Sequence, residues 1–287
     1  MPGSVPSTAT IPEIQLRSGE AVPVLGQGTW RMAEQPSRRE AEIAALRLGL
    51  DLGMTLIDTA ELYADGSAEE LVAEAIAGRR DEVFLVTKVI PANATRRGTI
   101  EACERSLRRL RTDRIDLYLL HWRGRLALEP TIDAFGRLLD AGKIRHWGVS
   151  NFDELDLAEV LSIAGGEAVE ADQVLYNLAH RGIEYELLPW CHERGLVIMA
   201  YSPTDRGRLL GHVAVKAVAA RHRATPAQVA VAWVLRQDGV TAIPKAATPA
   251  HVRENRAALD LQLTKEDLAT LDSAFPPPTG PQPLELY

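Results

Sequence analysis

Residues 55–63 read TLIDTAELY: an aliphatic segment stops at a carboxylate, Asp58, and five residues later comes a phenol, Tyr63. A carboxylate at the end of a buried segment is costly unless a partner holds it. Other apolar segments stop in the same way, at Lys88, at His121, at Ser150 and Asn151, at Tyr201 and Ser202, and at Lys245, while Gln173 lies inside another. Carboxylate, phenol, ammonium and imidazole are groups that proteins use to move protons. Each also has a plain structural reading. Asp58 could tie a loop beside a packed Tyr63, Lys88 could snorkel to solvent, and His121 could be a hydrogen-bonded core imidazole. Those readings fail together only if the fold gathers the segment ends in one place.

The elements that carry them recur in a βαβ rhythm. Strand-like runs lie at 24–29, 55–58, 83–89, 115–121, 144–150, 171–176, 196–202 and 240–245. Amphipathic patterns of helical length lie between them. Ser37 with Glu40 caps the first helix, and Ser67 with Glu70 forms a capping box for the second. Thr99 or a neighbour starts the third, residues 131–141 carry the fourth, 154–161 the fifth, and 185–194 precede the stop at Gly195. Eight strands alternating with helices in 287 residues predict a parallel (β/α)8 TIM barrel, which typically needs about 250 residues. Runs at 14–16 and 22–24 predict a small β-hairpin before it. The competing doubly wound sheet fails at Gly26-Gln-Gly28-Thr-Trp-Arg, which lacks the third glycine of a dinucleotide fingerprint and opens no helix. No linker breaks the rhythm, so the expectation is one domain over 1–287, with irregular tails at 1–12 and 276–287. Barrel chemistry gathers at the C-terminal ends of the strands, so the residues above are expected to share one mouth.

Composition narrows the partners. Apolar content of 46% and charged content of 25% are ordinary for a globular protein. A net charge of −7 leaves no basic surplus to neutralise phosphates, so neither nucleic acid nor an acidic membrane is expected as a partner. The arginines between 105 and 114 alternate with leucines at helical spacing and predict a solvated helix face. Cys103 and Cys191 are far apart, fitting a reducing compartment and no disulfide framework. No His/Cys cluster has ligand spacing, so no metal is expected. With no secretory signal and no membrane-length apolar run, the expectation is a cytoplasmic protein, and a monomer.

Taken together, the motifs GQGTW (26–30), IDTAELY (57–63), VTKV (86–89), DLYLLHW (116–122), GVSNF (148–152), QVLYN (173–177), AYSP (200–203) and IPKAATPAHVRENRAAL (243–259) identify a resemblance. The chain resembles the aldo-keto reductases over about residues 14–275, most of all their compact prokaryotic members with short loops. By that resemblance, Asp58, Tyr63, Lys88 and His121 are the catalytic four. A nicotinamide cofactor delivers hydride to a substrate carbonyl carbon and Tyr63 protonates the oxygen. A free phenol has a pKa of about 10, and a neighbouring ammonium would lower it, so Lys88 is expected to bring Tyr63 down. Asp58 would neutralise and aim Lys88, and His121 would bond the carbonyl oxygen or tune the phenol.

The resemblance also implies the cofactor contacts. Tyr201 would stack on the nicotinamide, with Ser150, Asn151 and Gln173 on its carboxamide. Gly28, Thr29 and Trp30 would flank ring and ribose, and Asp58 would touch the ribose. Ser202, Pro203 and Thr204 would follow the pyrophosphate. Lys245, Ala246, His251, Glu254 and Asn255 would hold the adenosine end. Trp30, Tyr63, His121 and Trp122 would line the substrate pocket. The chain departs from the family at Ala246, where a serine is usual, and at His251, where an arginine is usual. NADPH is therefore expected to be favoured through Lys245, by a reduced margin that leaves NADH possible. The segments 122–130 and 276–287 are short, predicting little outer wall and broad use of small carbonyls such as dicarbonyls and aromatic aldehydes. Two other readings stand beside this one: a non-catalytic nicotinamide-binding barrel acting as sensor or subunit, and a Schiff-base lyase using Lys88.

Overall fold

The computed structural model describes residues 10–287, so the proposed irregular start is seen only from Thr10 onward, without helix or strand through Pro12. A short antiparallel hairpin, β1 (Glu13–Gln15) and β2 (Ala21–Pro23), leads into β3 (Gln27–Gly28). Then α1 (Arg39–Asp51), β4 (Leu56–Asp58), α2 (Ser67–Ala75), β5 (Phe84–Val89), α3 (Arg96–Leu110) and β6 (Ile115–Leu120) follow. Next come α4 (Glu129–Asp140), β7 (Ile144–Ser150), α5 (Glu154–Ser162), β8 (Val169–Leu175), α6 (Leu187–Glu193) and β9 (Val197–Tyr201). Helices α7 (Val213–His222) and α8 (Pro226–Leu235) precede β10 (Val240–Ala242), and α9 (Pro249–Ala257) and α10 (Lys265–Ala274) finish the order.

Strands β3 to β10 form one parallel sheet in sequence order. It closes where β3 meets β10: Gly26 N–H donates to Ala242 O at 2.8 Å, Ala242 N–H to Val24 O at 2.8 Å, and Gly28 N–H to Pro244 O at 3.2 Å. A Cβ on Gly28 would sit 2.7 Å from the Ile243 carbonyl oxygen, so this seam needs a glycine. The result is a (β/α)8 barrel with an N-terminal hairpin.

Side chains alternate across a strand, so one set faces the barrel axis and the other the helices. The axial set is Leu56, Phe84, Val86, Leu117, Leu119, Ala171, Val197, Met199 and Ile243, and Leu16 and Val22 at the hairpin pack on it. The hairpin thus plugs the N-terminal end. One alternation further along, the same rows reach Asp58, Lys88, Gln173 and Tyr201, at the opposite end. The outward set, with Ile57, Leu85, Tyr118, Trp147 and Val149, joins the helices in the larger core.

Two expected helix caps are corrected. Ser37 lies in a single 3-10 turn with no capping bond, and α1 begins at Arg39. Ser67 is the first residue of α2 rather than its cap; Gly66, at φ 90°, takes that place. Glu70 makes no capping bond there, and its neighbour Glu69 is buried, accepting from Thr87 Oγ1 and from Arg109 Nε, each at 2.6 Å. Thr95 caps the third helix, its hydroxyl accepting from Gly98 N–H. The arginine-rich α3 is also less solvated than expected, since Arg109 and Arg105 turn inward to Glu69 and Glu61.

Candidate active site

At the end of β4 the chain buries Asp58, and at the end of β5 it buries Lys88 completely. The ammonium lies 2.8 Å from Asp58 Oδ1 and 2.9 Å from Oδ2. It also donates to Thr59 O at 2.7 Å and lies 3.4 Å from Tyr63 Oη. Gln173 Nε2 gives the carboxylate a further hydrogen bond, 2.7 Å to Oδ1. A charge pair removed from water persists only when its remaining valences are met, and here they are. Burial opposes the charge on Lys88, yet Asp58 prevails and the pKa is raised above the usual lysine value. A lysine held this way is a poor amine nucleophile, which argues against the Schiff-base reading.

Tyr63 stands in a 3-10 turn whose next two residues, Ala64 and Asp65, have φ 48° and 52°. Its phenol pKa is raised, contrary to the expected lowering. Burial is the main cause; Lys88 pulls the other way, and Asp58 adds to the rise. The phenol is therefore held as a proton carrier. His121 packs edge-on against the Tyr63 ring, centroids 5.7 Å apart, and against Trp122 at 5.0 Å. Burial, reinforced by Lys88, pushes the imidazole down to about 3, so it is neutral. Its Nδ1 is buried without a hydrogen-bond partner within the protein.

A second network adjoins the first. Ser150 Oγ donates to Gln173 O at 2.8 Å, and Asn151 Nδ2 bonds Ser150 Oγ and His121 O, both at 3.1 Å. Tyr201 Oη donates to Asn151 Oδ1 at 2.9 Å, which fixes the plane of its ring. Asn151 has φ 60°, a left-handed conformation that asparagine tolerates. Thr29 N–H and Oγ1 both donate to Asp58 O at 3.0 Å. Trp30 and Trp122 stand at the rim, 39% and 37% exposed. The fold thus gathers Asp58, Tyr63, Lys88, His121, Ser150, Asn151, Gln173 and Tyr201 at one end of the barrel.

The remaining predicted contacts lie along the seam. Ser202, Pro203 and Thr204 follow β9, with Ser202 O accepting from Asn177 Nδ2 at 2.9 Å. Lys245 lies beside Gly28. Ala246 and Asn255 are buried, and His251 and Glu254 reach the surface or near it. Lys245 borders a polar cavity of about 240 Å³ together with Arg31, Glu34, Gln35, Arg38 and Glu42. Burial lowers the Lys245 pKa, and Arg38 and Arg31 lower it further against Glu42. Three cations face two carboxylates here, Glu34 pairing with Arg31 at 3.3 Å, and the single positive charge left over suits a phosphate-bearing ligand. Sequence reasoning missed Arg31 and Arg38; Arg31 adjoins the GQGTW motif, and that adjacency was the available signal.

The tail also departs from the expected open rim. Residues 276–287 form no helix or strand, but Tyr287 comes back to Tyr201, ring centroids 6.5 Å apart. A wider groove of about 650 Å³ lies outside the barrel and is lined by Glu40, Arg47, Asp51 and Glu74 among others. It touches no strand end. Among the described residues no three His, Cys, Asp or Glu side chains gather as a metal ion would need, and no helix is long and apolar enough to cross a membrane.

Residues 24–275 match the profile of the aldo/keto reductase family. The chain is 51% identical over 278 residues to methylglyoxal reductase YeaE of Escherichia coli K12, covering 95% of this chain and 98% of that protein. It is 32% identical to glyoxal reductase of Bacillus subtilis over 287 residues, covering 100% and 99% of the two chains. A Klebsiella pneumoniae aldo/keto reductase crystallised with NADP and acetate superposes with a TM-score of 0.94 at 49% identity, over 97% of this chain and all of that one.

Proposed function

The chain belongs to the aldo/keto reductase family and is an oxidoreductase that reduces carbonyl compounds with NADPH; we propose that its substrates are small reactive aldehydes, dicarbonyls foremost, and that Tyr63 is the acid. The observation that carries this reading is the Tyr63 phenol, 3.4 Å from a fully buried ammonium that Asp58 holds in place. When bound, the reduced nicotinamide supplies hydride to the carbonyl carbon. Tyr63 keeps its proton until negative charge builds on the carbonyl oxygen, then gives it up at Oη. Lys88 is placed to stabilise the phenolate that remains, an electrostatic gain larger in a dry site than in water. Neutral His121 faces the same space as Tyr63 and can donate one hydrogen bond to the oxygen. Trp30 and Trp122 shield the space from water.

The residues present fit the cofactor. The Tyr201 ring, fixed by Asn151, offers a flat face for the nicotinamide, and Ser150, Asn151 and Gln173 bring polar groups beside it. Arg31, Arg38 and Lys245 offer the charge that a phosphate at the other end requires. A preference for NADPH over NADH follows, resting on Lys245 with Arg31 and Arg38 at the same cavity. The relatives' names support dicarbonyl substrates. A purely binding role does not explain why a buried ammonium held by Asp58 stands beside the Tyr63 hydroxyl.

The test follows cofactor oxidation with methylglyoxal and glyoxal, using NADPH and NADH in turn. Turnover with NADPH ahead of NADH is expected, with the ratio falling about tenfold in Lys245→Ala, the loss of one charge-assisted contact. No turnover of any small aldehyde, or NADH ahead of NADPH, would contradict the reading.

A further inference from the structure

Asp58 and Lys88 are carried by strands, β4 and β5, whereas Tyr63 stands beyond the end of β4 in a turn. Its main-chain bond is local, from N–H to Ala60 O at 3.1 Å. Ala64 and Asp65, which follow it, have left-handed backbone. Residues other than glycine adopt that conformation at a cost, so the turn depends on contacts made elsewhere. The distance from Tyr63 to Lys88 therefore needs a tie between the loop after β4 and the segment after β5.

Glu61 is placed as that tie. The ladder between β4 and β5 runs on past the end of β4: Thr59 N–H donates to Val86 O at 2.8 Å, and Glu61 N–H to Lys88 O at 3.3 Å. A side chain then takes over from the backbone. Glu61 Oε1 accepts from Ile90 N–H and from Asn93 Nδ2, both at 2.9 Å, and Oε2 lies 3.5 Å from the Arg105 guanidinium. The Glu61 side chain is 7% exposed and that of Arg105 38%, so the two close bonds are the inner ones and the charge pair faces solvent. A carboxylate at that depth is costly unless donors meet it. Its donors all come from the chain beyond Lys88.

Sequence position gives the tie its leverage. Glu61 precedes Tyr63 by two residues, and Ile90 follows Lys88 by two. The main chain of Glu61 bonds Lys88 and its side chain bonds Ile90, so the approach to Tyr63 is fixed at two points against the segment that carries the ammonium. Asn93 is itself anchored, its N–H donating to Ile90 O at 2.9 Å and its O accepting from Thr95 N–H at 2.8 Å. A carboxylate that merely closed a loop would affect stability alone. One with leverage on the phenol also affects the proton transfer.

We propose that Glu61 is a positioning residue that holds the turn carrying Tyr63 against the strand carrying Lys88, and so sets the distance from phenol to ammonium. This inference rests on the reading that Tyr63 is the proton donor. The Glu61 carboxylate is engaged with Ile90, Asn93 and Arg105, and it acts on the rate through Tyr63.

The experiment measures single-turnover reduction of methylglyoxal by bound NADPH. Glu61→Ala, Glu61→Gln and Asn93→Ala are each made in the parent and in Tyr63→Phe. In the parent, Glu61→Ala slows the step about 10- to 100-fold, the usual cost of a reacting group displaced by up to about 1 Å. Glu61→Gln keeps an oxygen for Ile90 and Asn93 and loses only the contact with exposed Arg105, so it stays within about threefold of the parent. Asn93→Ala removes one of the two close bonds and slows the step about threefold. In Tyr63→Phe there is no donor to misplace, so all three changes leave the rate within about twofold of Tyr63→Phe alone. NADPH dissociation constants stay within about twofold of the parent, because an interaction felt in the transition state alone leaves binding unchanged. Equal slowing by Glu61→Ala in both backgrounds would show a merely structural role and overturn the proposal. Parental turnover in Glu61→Ala, or Glu61→Gln as slow as Glu61→Ala, would overturn it too. Should Glu61→Ala fail to fold, Asn93→Ala makes the same comparison, and equal slowing in both backgrounds overturns the tie. Near-parental turnover in Tyr63→Phe would instead overturn the reading of Tyr63 beneath it.

Discussion

The buried cluster at the ends of β4, β5 and β8 and the rim built by residues 202–208 with the tail are held by opposite means. In the cluster, Asp58, Lys88 and Gln173 project from rigid strands into the barrel, and each is within 3 Å of a partner in the same layer. At the rim, Asp205 and Arg206 sit on left-handed backbone and depend on Tyr287, His180 and Trp30, which come from distant segments. The cluster is positioned by the fold as a whole. The rim is positioned by a few side chains. Chemistry that needs a proton donor fixed to a fraction of an ångström suits the first, and the second can change without moving that donor.

The comparison is broken most severely at Lys88. Lys88→Met keeps the length of the side chain and removes the charge, leaving Asp58 buried against a thioether. Turnover is expected to fall by about 10² to 10⁴, the usual worth of acid–base assistance. Tyr287→Ala is the opposite case, with the chemical step intact. Single-turnover measurements on the two variants separate them. If Tyr287→Ala slowed the chemical step as much as Lys88→Met does, the two regions would not be distinct.

A smaller effect sharpens the contrast between paired and unpaired burial. Asp172 lies on β8 next to Gln173 but on the other face, fully buried. Neither carboxyl oxygen has a hydrogen-bond partner of ordinary geometry. Burial pushes its pKa well above the usual carboxylate value, opposed by the Phe152 backbone amide. A folded-state pKa above the unfolded one means that the native state binds the proton more tightly. Its contribution to stability is full below about pH 4 and is lost as pH rises from there toward the folded pKa. Asp172→Asn removes that loss. Thermal unfolding across pH is expected to show the variant more stable by about 1 kcal/mol at neutral pH, with the gain shrinking toward pH 4. A gain that is constant with pH, or a loss at neutral pH, would contradict the assignment of a costly buried carboxyl.

How much of this was legible in the sequence follows the same division. Strand periodicity is a local property, so the ends at Asp58, Lys88, His121 and Ser150 could be read directly, and β7 was placed at its observed bounds. The helix starts at Ser37 and Ser67 were misread because a hydroxyl followed three residues on by a carboxylate caps a helix only where the backbone enters it at that hydroxyl, and here a 3-10 turn at Pro36–Arg38 and a left-handed Gly66 take that place. The direction of the Tyr63 pKa was misread because an ammonium neighbour is visible in sequence and the depth of burial is not. Arg206 and Tyr287 could not be paired at all. They are 81 residues apart, and nothing in either segment encodes the other.

The central claim is that the Tyr63 phenol is the proton donor, and Tyr63→Phe tests it with the ring retained. Single-turnover reduction of methylglyoxal by NADPH is measured alongside the NADPH dissociation constant. The account predicts a rate lower by about 10² to 10⁴ with NADPH affinity within about twofold of the parent. Near-parental turnover in Tyr63→Phe would contradict it.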